Sequence, residues 1–464
     1  MPRPMRNLLT RVSRRTSLHM PAAQGRAPYR AFAPYRLDTT ELPVTDDLYR
    51  PTGAIAEAER LAARSAGAAA TLCLHGGSTA GVQTMLLYAC GPGGQVVLPR
   101  NAHLSCLHLC ALTGIEPVFA TPAVTPEGRL YTPPEAYAAA LDANPRAQVF
   151  ALHGDYYGLT DDLPAIAAEA HRRGRLLLCD EAHGAYRNWR ADAPNAGACG
   201  ADLFVQSAHK TLPALTPGAW LHAMPGVDAQ RLRALLRMVQ TSSPSFLILQ
   251  SLDDARAWMD AHGADACARL GRAVERFYRQ AAPLGFTDGQ PAPPPGLTYD
   301  RLRLVLRAPC GGERLQALLA ARKLDVEMAD AAHVVCILSL LDGPARLRKL
   351  LSALRAITRE LPSVCNGAPP EPSLPFPTQW PARRMPLAQA AFAPAEALPP
   401  QDAVGRVCAV CAGPYPPGIA WLTPGDEVTP ELALMLSQTP PERLFGLDAQ
   451  NRLRCVLPHA GTRG

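Results

Sequence analysis

Between residues 70 and 220, short apolar runs alternate with amphipathic stretches. That alternation restricts the chain to an α/β fold with a mostly parallel sheet covered by helices. The runs Ala70–Leu74, Gln95–Leu98, Pro117–Ala120, Gln148–Leu152, Leu176–Cys179 and Leu203–Val205 read as strands. Among the stretches between them, Asp161–Arg173 is the clearest helix. Leu163, Ile166, Ala167 and Ala170 share one face, and Gly174 is the stop signal. In such a sheet, functional groups gather at the carboxyl ends of strands, where His75–Thr79, His103, Asp180 and Lys210 all fall.

The remaining organisation is read from composition. Residues 1–36 form an arginine-rich arm, 37–295 a large domain and 296–361 a small α+β domain. Residues 362–400 form a proline-rich linker and 401–464 a C-terminal α+β domain. Residues 1–37 carry eight arginines and no acid, so the whole-chain charge of +6 leaves the body near −2. No nucleic-acid partner is expected from such a body, and the arm is expected to pack on a partner subunit. No apolar run approaches the length of a membrane span, and Arg14-Arg15 is not followed by a secretion-type apolar segment. Thirteen cysteines without framework spacing fit reduced thiols, so a cytoplasmic protein is expected, with no metal site.

The chain has three lysines, Lys210, Lys323 and Lys349. The last two lie in amphipathic helical patterns and read as solvated faces. Lys210 follows the strand Leu203–Val205 within Ser207-Ala208-His209-Lys210, and Asp180 ends an earlier strand within Cys179-Asp180-Glu181-Ala182-His183-Gly184. A lysine and an acid so placed are what a pyridoxal phosphate enzyme needs: the lysine forms the Schiff base and the carboxylate pairs with the pyridine nitrogen. Gly76-Gly77-Ser78-Thr79 follows a strand and opens a helix. Small residues there let backbone N–H groups approach a phosphate, and Ser78 and Thr79 add hydroxyls. Taken alone, the same residues make a tight turn with a serine N-cap. Ala182 is small enough to lie against the ring, His103 is placed to stack on it, and Ser207 and His209 flank the lysine.

In their order and spacing these motifs identify a family. The chain resembles the bacterial fold-type I Orn/Lys/Arg decarboxylases, in the short form without an N-terminal wing domain. The matching stretches include Asp38–Leu42, Asp46-Asp47-Leu48, Pro51-x-Gly53, Glu57-Ala58-Glu59, Gly77–Gly81, Tyr156-Tyr157-Gly158, Asp180–Gly184, Ser207–Leu212, Pro414–Ile419 and Pro424-Gly425. The resemblance implies an aminotransferase-like large domain, a small domain, a C-terminal domain and a homodimer or higher homo-oligomer. It implies pyridoxal 5'-phosphate held by Gly77, Ser78, Thr79, His103, Asp180, Ala182, His183, Ser207, His209 and Lys210. Lys210, Asp180, His103 and His183 would carry the chemistry: decarboxylation of arginine, lysine or ornithine to the polyamine-pathway amine and CO₂. Departures from the family pattern fall at Ala22-Ala23-Gln24, Leu104 and Gly154-Asp155, outside the cofactor positions. They keep two alternatives in view: other pyridoxal phosphate chemistry on an amino acid, or a non-catalytic paralogue regulating a decarboxylase. Asp155, Asp426 and Glu427 are the acids considered for a distal substrate cation.

Overall fold

The structure, a computed structural model, describes the backbone of Thr16–Leu18 and residues 46–360, 376–415 and 418–458. The run of alternating elements begins with β1 (Ala70–Leu74), α1 (Gly77–Cys90), β2 (Gln95–Leu98), α2 (Leu104–Thr113) and β3 (Glu116–Phe119). It continues with β4 (Gln148–Leu152), α3 (Leu163–His171), β5 (Leu177–Asp180), β6 (Leu203–Gln206), α4 (Ala208–Thr211) and β7 (Ala219–Ala223). Every strand expected from the apolar runs is present, with ends shifted by one residue in β3, β5 and β6. The strand β7 was not anticipated.

Two units divide the chain: residues 1–81, 152–164 and 179–373, and residues 82–151, 165–178 and 374–464. In the first, the strand order is β1-β7-β6-β5. The strand β7 runs antiparallel to both neighbours, pairing Ala219 with Leu74 and Trp220 with Cys73 on one side and with Gln206 on the other. β1 and β6 therefore point the same way, and their carboxyl ends flank the start of β7. Glu181 N–H donates to Val205 O and His153 N–H to Asp180 O, which brings the ends of β5 and β4 to the same edge.

The first unit also holds α5 (Phe246–Ala281), a helix of 36 residues. Its buried positions include Leu249, Leu252, Met259, Ala266, Leu270, Val274 and Phe277, the three- and four-residue spacing of one continuous apolar stripe. Gly263 lets it approach the chain near Trp189: a Cβ there would meet Trp189 Cγ at 3.2 Å and Met259 Cε at 2.8 Å. A four-stranded sheet follows, containing β8 (Leu304–Arg307) and β9 (His333–Cys336), with α6 (Gly312–Ala321) and α7 (Gly343–Glu360). The helix α7 packs on α5, and the buried leucines of both join one core. Within the arm expected at residues 1–36, only Thr16–Leu18 is described, and its backbone pairs in parallel with Leu324–Val326. Ala22–Gln24 lie outside the described residues.

In the second unit the strand order is β4-β2-β3, all parallel. The described part of the proline-rich stretch carries a helix, Leu387–Phe392, packed on α2, and a strand, Ala395–Leu398, paired with Leu453–Val456. The helix Pro430–Gln438 is capped by Thr429, whose hydroxyl accepts from Leu432 N–H. No described helix is long and apolar enough to cross a membrane.

Candidate active site

The aligned strand ends of the first unit gather most of the residues singled out in the sequence. After β1 the chain turns at Gly77, where φ is +75°, a backbone state that favours glycine. α1 then starts with Ser78 and Thr79 in its first turn. The peptide N–H groups of His75 and Gly76 both donate to Gln240 Oε1, at 3.1 and 3.0 Å. The Gln240 amide nitrogen on the same side chain is buried without a partner. Across β7, Ser207 is fully buried and its hydroxyl also has no partner. Buried donors left unsatisfied are costly, by about 1–3 kcal/mol each, unless something accepts from them. Two orphaned donors near a helix N-terminus fit a bound phosphate.

Lys210 stands in the short helix α4, with its amine 3.3 Å from His183 Nε2. Burial lowers its pKa; Asp180 and Glu327 oppose that effect and Arg303 adds to it. A lysine so placed is readily available as the free amine that attacks a carbonyl. His209, beside it, points Nδ1 at Gly218 O, 2.9 Å away, and burial pushes its pKa down too. Lys323 and Lys349 are both exposed; Lys349 lies on α7, as its pattern implies, whereas Lys323 falls in the turn after α6, with φ +61°. Asp180 is buried at the end of β5, and its Oδ1 accepts from Ala182 N–H at 2.9 Å. This acid, a buried lysine amine and the orphaned donors are the set that pyridoxal phosphate requires.

Beneath this edge lies a buried polar network that includes no cofactor-set residue. Glu181 Oε1 accepts from His153 Nδ1 at 2.5 Å and from Ala196 N–H at 3.0 Å, and Gln206 Nε2 donates to Oε2 at 2.6 Å. His222 Nε2 reaches Gln206 Oε1 at 3.1 Å, while its Nδ1 takes the hydroxyl of Thr71 at 2.7 Å. Burial holds the His153 pKa down against the pull of Glu181, and holds that of His222 down to about 3.

Sequence reasoning missed four residues of this region: Gln240, Arg303, Glu327 and His153. Arg303 reaches His183 Nδ1 through Nη2 at 3.2 Å and is buried. The acids considered for a distal cation have structural work instead. Asp155 turns the chain, accepting from Tyr157 and Leu159 N–H groups. In the second unit, Asp426 is buried, accepts from the Thr423 N–H and hydroxyl, and pairs with Arg383 and Arg100. Glu427 pairs with Arg384 at 2.7 Å. His103 also lies in the second unit, exposed, and caps α2 by accepting from Ser105 N–H at 3.2 Å.

A family model described as "Orn/Lys/Arg decarboxylase, major domain" matches residues 32–276. The chain belongs to that family. It is 34% identical over 422 residues to the uncharacterized protein YaaO of Bacillus subtilis, covering 87% of this chain and 85% of YaaO. It is 30% identical over 413 residues to a protein named arginine decarboxylase in Halalkalibacterium halodurans, covering 85% and 82%. Among solved structures, lysine decarboxylase A from Pseudomonas aeruginosa superposes with a TM-score of 0.79 at 19% identity, covering 97% of this chain and 81% of that one. The aminotransferase-like α/β fold expected from the sequence is therefore the fold observed, and family membership implies pyridoxal phosphate.

Proposed function

We propose that this decarboxylase removes the α-carboxyl group of a basic amino acid, releasing CO₂ and the corresponding amine of polyamine metabolism. The observation that carries the reading is the Lys210 amine, close to His183 and within the field of Asp180, at the strand edge that also holds the orphaned Ser207 hydroxyl. Gly77, Ser78, Thr79, Ser207, His209 and Gln240 would hold the phosphate of pyridoxal 5'-phosphate. Asp180 would pair with the ring nitrogen, Ala182 would lie against the ring, and His183 beside it. When bound, the cofactor supplies a protonated pyridine that takes up the electron pair left behind as CO₂ departs. Lys210 would bind the cofactor and, once displaced by the substrate amine, would be a base able to return a proton.

Arginine is the first substrate to test, because relatives aligned over more than four-fifths of their length carry the name arginine decarboxylase. Lysine and ornithine follow. Among the acids, Asp180 and Glu327 are those that act on the Lys210 charge. The working form is proposed to be a cytoplasmic homodimer or higher homo-oligomer.

The test is the visible absorbance of purified protein, with CO₂ release followed on arginine, lysine and ornithine in turn. A lysine-bound cofactor band that disappears in Lys210→Ala, together with CO₂ from one of the three, is expected. A band without CO₂ from any of them would move the reading to a different amino acid, and no band would leave a regulatory paralogue in front.

A further inference from the structure

The hydrogen-bond chain through His183 has a direction. Arg303 Nη2 lies 3.2 Å from His183 Nδ1, and His183 Nε2 lies 3.3 Å from the Lys210 amine. A guanidinium carries donors only and stays charged. Facing one, Nδ1 has to accept. That excludes the imidazolium and the Nδ1–H tautomer, both of which would set N–H against N–H. The neutral ring with its proton on Nε2 remains, and that proton points at Lys210. A nitrogen that accepts it must have a free lone pair, so an ammonium at Lys210 would meet a donor head-on.

We propose that Arg303 is a positioning residue that fixes His183 as the Nε2–H tautomer and thereby holds the Lys210 amine unprotonated, ready to bond to a carbonyl. The proposal rests on Lys210 being the cofactor lysine. The rest of the guanidinium is consistent with it. Arg303 is 3% exposed, yet its Nε and Nη1 have no partner, so Nη2 makes its one side-chain contact with a named acceptor. The neighbouring carboxylate Asp300 is already engaged by Arg190 at 3.0 Å and by the Tyr186 hydroxyl. The ring of Tyr156, 4.9 Å from that of His183, limits its rotation. The charged and titratable groups acting on Lys210 are Asp180 and Glu327, which favour the ammonium, and Arg303 and His209, which oppose it.

With three lysines in the chain, the test is direct. The cofactor-free, full-length protein is labelled with ¹³C-methyl groups on its lysines, and the three signals are followed against pH. Arg303→Gln is expected to move the Lys210 midpoint upward while the Lys323 and Lys349 curves stay in place. In a His183→Phe background the same substitution should move Lys210 far less. Equal shifts with and without His183 would mean that Arg303 acts by charge alone, and would overturn the proposal, as would no shift in either. Arg303→Lys, which keeps a donor, should preserve most of the native curve. Should Arg303→Gln not fold, ¹⁵N shifts of the His183 ring in the unaltered protein decide the matter: a proton on Nδ1, or on both nitrogens, sinks the assignment. In Arg303→Gln the rate of pyridoxal phosphate capture at neutral pH should fall about tenfold, the factor equivalent to one pH unit in midpoint. Borohydride trapping and peptide mass test the underlying reading separately. A label on Lys323 or Lys349 would remove Lys210 as the cofactor lysine, while the tautomer would stand or fall on its own titration.

Discussion

Glu181 Oε1 and His153 Nδ1 lie 2.5 Å apart, with Glu181 fully buried and His153 5% exposed. The pair adjoins Asp180 through the chain itself, since Glu181 is the next residue and His153 N–H donates to Asp180 O. Removing one partner of such a pair leaves the other buried and unmatched. Glu181→Ala strips the acceptor from His153 Nδ1, Ala196 N–H and Gln206 Nε2, and is expected to cost about 1–3 kcal/mol for each buried donor left unmatched. Urea denaturation of the cofactor-free chain checks this; a loss under about 1 kcal/mol, typical of an exposed pair, would contradict it.

Acid should weaken the fold through His222. Its folded pKa is depressed to about 3, whereas an unfolded histidine titrates near 6.5. Between those values the unfolded chain binds the proton and the folded chain does not, so this contribution is complete above pH ~6.5 and is lost as pH falls toward ~3. The slope is roughly 1.4 kcal/mol per pH unit from this residue. Urea midpoints at pH 7, 5.5 and 4.5 should fall in order, and His222→Gln should flatten the trend.

Ser207→Ala separates cofactor binding from folding. The hydroxyl is buried and has no partner within the protein, so its loss should not destabilise the cofactor-free chain and should stabilise it by up to about 1–3 kcal/mol. A hydrogen bond to a charged group contributes about 1.5–3 kcal/mol, so pyridoxal phosphate should bind roughly ten- to a hundredfold more weakly. Equilibrium dialysis measures the second effect, thermal or urea unfolding the first.

Asp426→Ala should destabilise without changing substrate choice. The carboxylate accepts from Thr423 and pairs with Arg100 and Arg383, and Arg100 lies 3.8 Å from the centre of the Phe119 ring. Burial already holds the Arg100 pKa down to about 10, and removing its counter-charge costs about 3 kcal/mol or more. The ratio of CO₂ released from arginine to that from lysine should match the parent; a changed ratio would return Asp426 to the substrate site.

The sheet, and the strand-end placement of the residues expected to hold a cofactor, were legible because both are written locally. Apolar runs of three to five residues locate β1 to β6, and each site residue sits just past one of them. The strand β7 was hidden: Ala219-Trp220-Leu221-His222-Ala223 carries a histidine at a position that alternation alone leaves unexplained, and its partners Thr71 and Gln206 come from distant segments. Arg303 was hidden for the opposite reason. By sequence, Arg301–Leu306 reads as a single strand. The chain instead makes a turn before β8 and buries Arg303. Asp426 shows the limit of reading acids by type, since its role is decided by Arg100 and Thr423.

The reversed strand β7 has a mechanical consequence. β6 ends at Gln206 and β7 begins at Ala219, so the lysine rides on a tether whose two ends are neighbours in one sheet. Adjacent strands are about 4.8 Å apart, so both ends of that tether are anchored to a common frame. His209 closes its base, donating its backbone N–H to Gly218 O. An added or deleted residue anywhere from 207 to 218 has no free end toward which to slip. Changes of length beside Lys210 would be transmitted to its amine, whereas the exposed Leu215 and Thr216 leave room for change at the surface.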